Sequence, residues 1–186
     1  MSSPSGELNA FLAALGHAPG RPLPPVHLWN PVHCGDIGME IRADGSWYHE
    51  GRPISRPAMV RVFASILRKD ADGYFLVTPV EKISVKVEDA PFVVIRADRI
   101  EESESGPAWV FHTNVGDVVV AGPGHGLRMG CSHNGQSAPY VLVRAGLEAK
   151  VLRAPYYELA QSAIAQGDVL GVTSRGIFFP LEAARA

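Results

Sequence analysis

Short runs that alternate apolar and polar residues, each closed by turn-forming residues, recur along the chain and constrain its fold more than any other feature. Met39-Glu40-Ile41-Arg42 alternates as a half-buried strand does. Asp44-Gly45 follows, a hairpin turn that needs positive φ, and Ser46-Trp47-Tyr48-His49 is the returning strand. Glu50-Gly51 turns the chain into Arg52-Pro53-Ile54. Residues 74–78 and 83–87 form the next pair, with a bend expected at Pro79 because proline removes a ladder donor. Residues 91–95, 108–113, 115–120, 140–144 and 148–153 read as further strands, with a bulge or turn at Asn114 and Gly116. Residues 101–106 read as an acidic loop, and 122–126 as a tight one. Residues 169–173 and 177–179 form a last hairpin.

Two stretches break this period. After Ser55, a plausible N-cap, and Pro57 in the first turn, Met59, Val62, Phe63, Ile66 and Leu67 recur at helical spacing. A second helix opens at Pro155, carries Tyr156, Leu159, Ala160, Ala163 and Ile164 on one face, and ends at Gly167. Strands linked by short turns should be largely antiparallel. The expected fold is therefore α+β, a duplicated core of two small β units with one main helix each. Gly35-Asp36-Ile37 and Gly116-Asp117-Val118 open similar patterns and suggest the duplication. The expected division is an N-terminal helix and Pro-rich linker over 1–21, a first domain over 22–84 and a second over 85–182.

Composition narrows the functions. The 186 residues are 46% hydrophobic, as in a globular protein. Seventeen basic against nineteen acidic residues argue against a nucleic-acid polymer as partner. No apolar run approaches the roughly 18 residues of a membrane span, and residues 1–15 lack a basic signal-peptide start, so a cytoplasmic location is expected.

Among candidate sites, Cys34 beside His33 and Cys131 near His133 do not have zinc-site spacing. They read as buried cysteine and loop histidines, and no metal or cofactor is expected. His33 is badly placed to serve Cys34, since neighbours in an extended segment face opposite ways. The glycines of 122–126 precede Leu127-Arg128-Met129, which looks like strand, so a hairpin is expected there and no phosphate loop. Ser174 sits in a turn sequence, and no serine–histidine–aspartate set can be read from spacing. Arg144 and Arg153 flank Glu148 in an apolar stretch, which is either an internal ion pair or a site for phosphate or carboxylate. Trp47 and Tyr140 could stack on a nucleotide-like ligand, though most aromatics in such a chain are packing.

Several longer motifs carry a family resemblance. Cys34-Gly35-Asp36-Ile37, Asp44-Gly45-Ser46-Trp47-Tyr48 and Gly51-Arg52-Pro53-Ile54 are followed by Tyr74-Phe75-Leu76-Val77-Thr78-Pro79-Val80-Glu81-Lys82 and Val87-Glu88-Asp89-Ala90-Pro91-Phe92. Thr113-Asn114-Val115-Gly116-Asp117, Pro139-Tyr140-Val141-Leu142-Val143-Arg144 and Leu147-Glu148-Ala149 complete the series. Over 29–181 the chain resembles the bacterial domain of unknown function 1285 family. The resemblance implies a duplicated two-domain core, a second domain like the pleckstrin-homology fold, and a nucleotide-like ligand between the domains in signal transduction. The matching polar positions are Asp36, Trp47, Glu81, Lys82, Glu88, Asp89, Arg144 and Glu148. His49-Glu50 and the short link over 132–137 depart from the pattern.

The expected function is thus non-catalytic binding of a small anionic ligand. Arg144, Arg153 and Lys82 would meet its charge, Trp47 or Tyr140 would stack, Asp36 and Glu81 would orient the basic groups or accept ligand hydrogen bonds, and Glu148 is a further ligand-binding candidate. The alternatives are a module that binds a peptide or partner protein, and a hydrolase with Asp36 or Glu81 as general base.

Overall fold

The computed structural model describes residues 22–102 and 106–181; the N-terminal helix and linker expected over 1–21 lie outside them. The chain divides into two compact units. One comprises the described residues up to Arg42 with Ser46–Glu88, the other Ala43–Gly45 with the residues from Asp89 onward.

In the first unit, a 3-10 turn at Val26–Leu28 precedes β1 (His33–Ile41), β2 (Trp47–His49) and β3 (Arg52–Pro53). Helix α1 (Pro57–Ser65) leads into β4 (Leu67–Asp70), β5 (Gly73–Val77) and β6 (Lys82–Val87). The sheet order is β3-β2-β1-β6-β5-β4. Two antiparallel meanders of three strands are thus joined by one parallel contact, β1 against β6. Turn length could not disclose that pairing, because it closes a connection that includes a whole helix.

The second unit repeats the plan. Its strands are β7 (Phe92–Glu102), β8 (Gly106–Thr113), β9 (Val118–Val120), β10 (Leu127–Cys131), β11 (Ser137–Arg144) and β12 (Leu147–Val151). Read from β9, their order is β9-β8-β7-β12-β11-β10, with β12 parallel to β7. Both units therefore share one strand order and one parallel closure, and the duplication is a property of the fold. The aligned motifs were not its trace: Gly35-Asp36 lies in the first strand of its unit, whereas Gly116-Asp117 lies in the turn between the second and third strands of the other. The helices are not equivalent either, since α2 (Arg153–Gln161) follows the sixth strand of its unit. A third sheet, β13-β14-β15 (Ile164–Gln166, Val169–Ser174, Ile177–Pro180), completes this unit.

Both helices are shorter than their apolar spacing predicts. Arg56, not Ser55, is the N-cap of α1, and no side chain caps it. The helix ends at Ser65, so Leu67 of the stripe opens β4. Leu67 and Ile66 are nonetheless buried, because the switch to strand keeps them on the core side. In α2, Pro155 is the third residue, and Ile164 belongs to β13. Gly167, at φ +62°, serves the turn between β13 and β14 and does not cap the helix. The acidic segment over 101–106 extends β7 to Glu102 and begins β8 at Gly106.

The core of the first unit sets Trp47 against Phe63 of α1, stacked at 6.1 Å, with Met39, Ile41, Leu76, Ile83 and Val85 from the strands. That of the second gathers Phe92, Val94, Phe111, Val141, Val143, Leu147, Ala149 and Leu159. Trp47 is buried while Tyr48 is half-buried beneath Arg42, as the pleat requires of strand neighbours. Among the described residues no helix is long and apolar enough to cross a membrane.

Candidate functional site

The eight residues singled out in the sequence are divided between the units. Asp36, Trp47, Glu81 and Lys82 lie in the first; Tyr140, Arg144, Glu148 and Arg153 lie in the second.

In the second unit the charged residues have internal partners other than those their spacing suggested. Arg144 pairs with Asp117, in the turn before β9, and lies over the ring of Phe92. Glu148 accepts two hydrogen bonds from Arg128 at 2.6 and 2.7 Å. Adjacent strands place Arg128 opposite Tyr140 and Tyr140 opposite Lys150, so register chose these neighbours. Arg153 is exposed at the start of α2 and donates to the hydroxyl of Tyr157. Tyr140 is buried, with its hydroxyl 2.7 Å from Asp89. Burial, and then the neighbouring Asp89 carboxylate, push its phenol well above the usual tyrosine range.

Asp89 was carried by the family resemblance but not chosen as a site residue. Its side chain is 5% exposed and accepts from Lys150 Nζ at 2.8 Å as well as from Tyr140. Burial raises the carboxyl, but the hydrogen bonds from Lys150, Tyr140 and the His133 backbone outweigh it and hold the group below its ordinary value.

In the first unit Trp47 is core, and its indole Nε1 is buried without a hydrogen-bond partner among the described residues. Glu81 is buried in the turn at Pro79, where its backbone N–H donates to Thr78 Oγ1. Lys82 bridges to Asp70 at 2.7 Å and lies 3.9 Å above the ring of Phe75. Arg68 grips the same Asp70 and also donates to the carbonyls of Val26 and Trp29. The Arg68 hydrogen bond, with Lys82 second, holds the Asp70 carboxyl below its ordinary range. Asp36 is exposed and accepts from the backbone N–H of Gly38.

Between β2, β3 and the start of α1 the first unit has an open concavity of about 390 Å³. Arg52, Arg56, His49 and Ser55 contribute its polar lining, with Glu50 as the one acidic group, and Ile54 and Met59 its apolar part. Arg52 and Arg56 are exposed and in no ion pair among the described residues. The first turn of α1 adds the positive end of its dipole, since no side chain caps it. Sequence reasoning missed this place because Arg52 and Arg56 look like ordinary flanks of a turn; the only signal was an arginine on each side of Ser55.

Both cysteines are exposed, correcting the expectation of burial, and they lie in different units. His33 stands in β1, not in a loop. Among the described residues no group of three or more His, Cys, Asp or Glu side chains could hold a metal ion.

Two six-stranded sheets with one topology, each carrying a short helix, define a duplicated α+β protein of two units. Residues 24–90 match the N-terminal domain of the domain of unknown function DUF1285, and residues 91–181 match its C-terminal domain. The chain belongs to the DUF1285 family. A crystal structure of a DUF1285 family protein from Silicibacter pomeroyi DSS-3 is similar at 44% identity and a TM-score of 0.84, over 95% of each chain. A second, from Shewanella baltica OS155, is similar at 31% identity and a TM-score of 0.51, over 66% of this chain and 89% of that one. No curated protein matches.

Proposed function

We propose that this protein binds a small anionic, nucleotide-like ligand, seated in the concavity of its first unit. The observation that supports this most is the pair Arg52 and Arg56: two guanidiniums in no ion pair among the described residues, facing one concavity. Guanidinium is suited to phosphate and carboxylate because its planar fork donates two parallel hydrogen bonds. Ile54 and Met59 would contact the ligand's apolar part, and His49 and Ser55 its polar atoms. Arg144, Lys82 and Glu148 are already engaged, so they serve their sheets and leave the ligand's charge to Arg52 and Arg56. Trp47 and Tyr140 are too buried to stack on a ligand. A role in signal transduction belongs to this proposal.

Calorimetric titration of the full chain with AMP, inorganic phosphate and adenosine tests it. AMP binds, adenosine does not, and the Arg52→Ala/Arg56→Ala protein loses at least about tenfold in affinity, from charge-assisted hydrogen bonds of roughly 1.5–3 kcal/mol each. Arg144→Ala is the discriminating control, expected to leave affinity unchanged. Full affinity in the double variant, or loss in Arg144→Ala, would move the ligand elsewhere.

A second reading, a protein-interaction module, draws on exposed apolar residues of edge strands. Val118 in β9 is 58% exposed and Ile164 in β13 is 53% exposed. An extended peptide adds to such edges, and a pleckstrin-homology-like second unit would fit this reading. Titrations negative for every anion, with capture of a defined partner lost in Val118→Lys, would favour it.

A further inference from the structure

The parallel pair β1–β6 does not run in step. His33 lies opposite Lys82 and Asp36 opposite Ser84, so three residues of β1 span two of β6. In a regular strand, residues three apart face opposite sides. The extra residue, Cys34, makes a bulge that turns His33 and Asp36 to the side of the sheet that carries Lys82 and Ser84. On that side His33 Nε2 stands 2.8 Å from Ser84 Oγ. The imidazole meets the ring of Phe75 edge-on, at 5.7 Å and 85°, which restrains its tilt. Phe75 in turn lies opposite Ser84 on β5 and beneath the ammonium of Lys82. Ser84 is half-buried and His33 exposed, so the pair is open to solvent.

We propose that Ser84 and His33 are a nucleophile and its base, acting on small activated esters at this face. The inference is independent of anion binding in the concavity. A hydroxyl within hydrogen-bond reach of an imidazole is the arrangement by which a base activates a serine. With the ring protonated at Nδ1, Nε2 accepts the Ser84 hydroxyl proton. As Oγ bonds to the ester carbonyl carbon, that proton passes to Nε2 and the carbonyl oxygen takes up the negative charge. The bond to the leaving oxygen then breaks, and Nε2 returns the proton to it, leaving an acyl group on Ser84. Water repeats the sequence, its proton passing to Nε2, and the acid leaves as Ser84 is restored.

The test is covalent labelling of the full chain by a fluorophosphonate ester, with the labelled peptide identified by mass. The expected result is one label, on Ser84, absent in Ser84→Ala. His33→Ala and His33→Gln should both slow labelling by about a hundredfold or more, the usual contribution of a general base. Using both variants separates lost basicity from local disturbance, and hydrolysis of p-nitrophenyl acetate should fall in parallel. No label, a label on another serine, or an undiminished rate in His33→Gln overturns the proposal.

Discussion

Asp89 shows at the scale of one residue how burial and charge settle each other. Its carboxylate is almost wholly buried, yet ionised form is favoured because Lys150 and Tyr140 both donate to it. Removing one partner of a buried pair leaves the other charge uncompensated. Asp89→Asn is therefore expected to cost about 3 kcal/mol in chemical denaturation at neutral pH. The pH dependence follows from the direction of the shift. The folded value lies below the ordinary 3.8, so this stabilisation is complete above 3.8 and is lost as pH falls through the folded value. The advantage of wild type over Asp89→Asn should be flat near neutrality and shrink in acid below 3.8. An advantage that persists undiminished into strong acid would contradict it.

At the scale of elements, Ser174 joins parts of the second unit that local sequence does not connect. It ends β14, fully buried; its hydroxyl donates to Ala121 O at 2.7 Å and accepts from the Trp109 backbone N–H at 2.9 Å. Ser174→Ala leaves that donor and that acceptor buried, at a cost of about 1–3 kcal/mol. Gly171, also in β14, is fixed by close approach: a Cβ there would lie 2.4 Å from Phe179 O and 2.5 Å from the Phe178 ring. Gly171→Ala must push β15 aside, and overpacking of this kind costs about 1–3 kcal/mol. Thermal unfolding of both variants checks the pair; unchanged midpoints would mean that the third sheet contributes little to the unit.

At the scale of the molecule, each six-stranded sheet closes through pairing of its first and last strands. β1 pairs with β6 and β7 with β12 across the whole intervening chain of each sheet. Such long-range pairings are slow to form because loop-closure entropy is lost before they are made. Stopped-flow refolding followed by tryptophan fluorescence should show its main phase between milliseconds and seconds. A main phase in microseconds would mean that the parallel closures contribute little to the rate-limiting step.

Most strands were legible from alternation and turn residues, because the pleat writes a period of two wherever one face is buried. The hairpin at Asp44-Gly45, the bend at Pro79 and the last hairpin are local chemistry, and local chemistry is printed in order along the chain; the hairpin expected at 122–126 is instead a tight turn closed by a Gly122–His125 bridge, because β9 and β10 lie at opposite edges of their sheet. The family was legible for the same reason, through contiguous motifs. Helix ends were not, since Leu67 and Ile164 stay apolar whether they continue a helix or open a strand. Nor were the partners of Arg144 and Glu148, the bulge at Cys34 that brings His33 to Ser84, or the concavity that Arg52 and Arg56 share. Each depends on register between strands distant in sequence, or on which backbone passes beside which. Sequence by itself determined most of the strands, their period and the family. Tertiary structure alone decided which charges meet, because ion pairs and hydrogen bonds act over a few ångströms of space and take no account of distance along the chain.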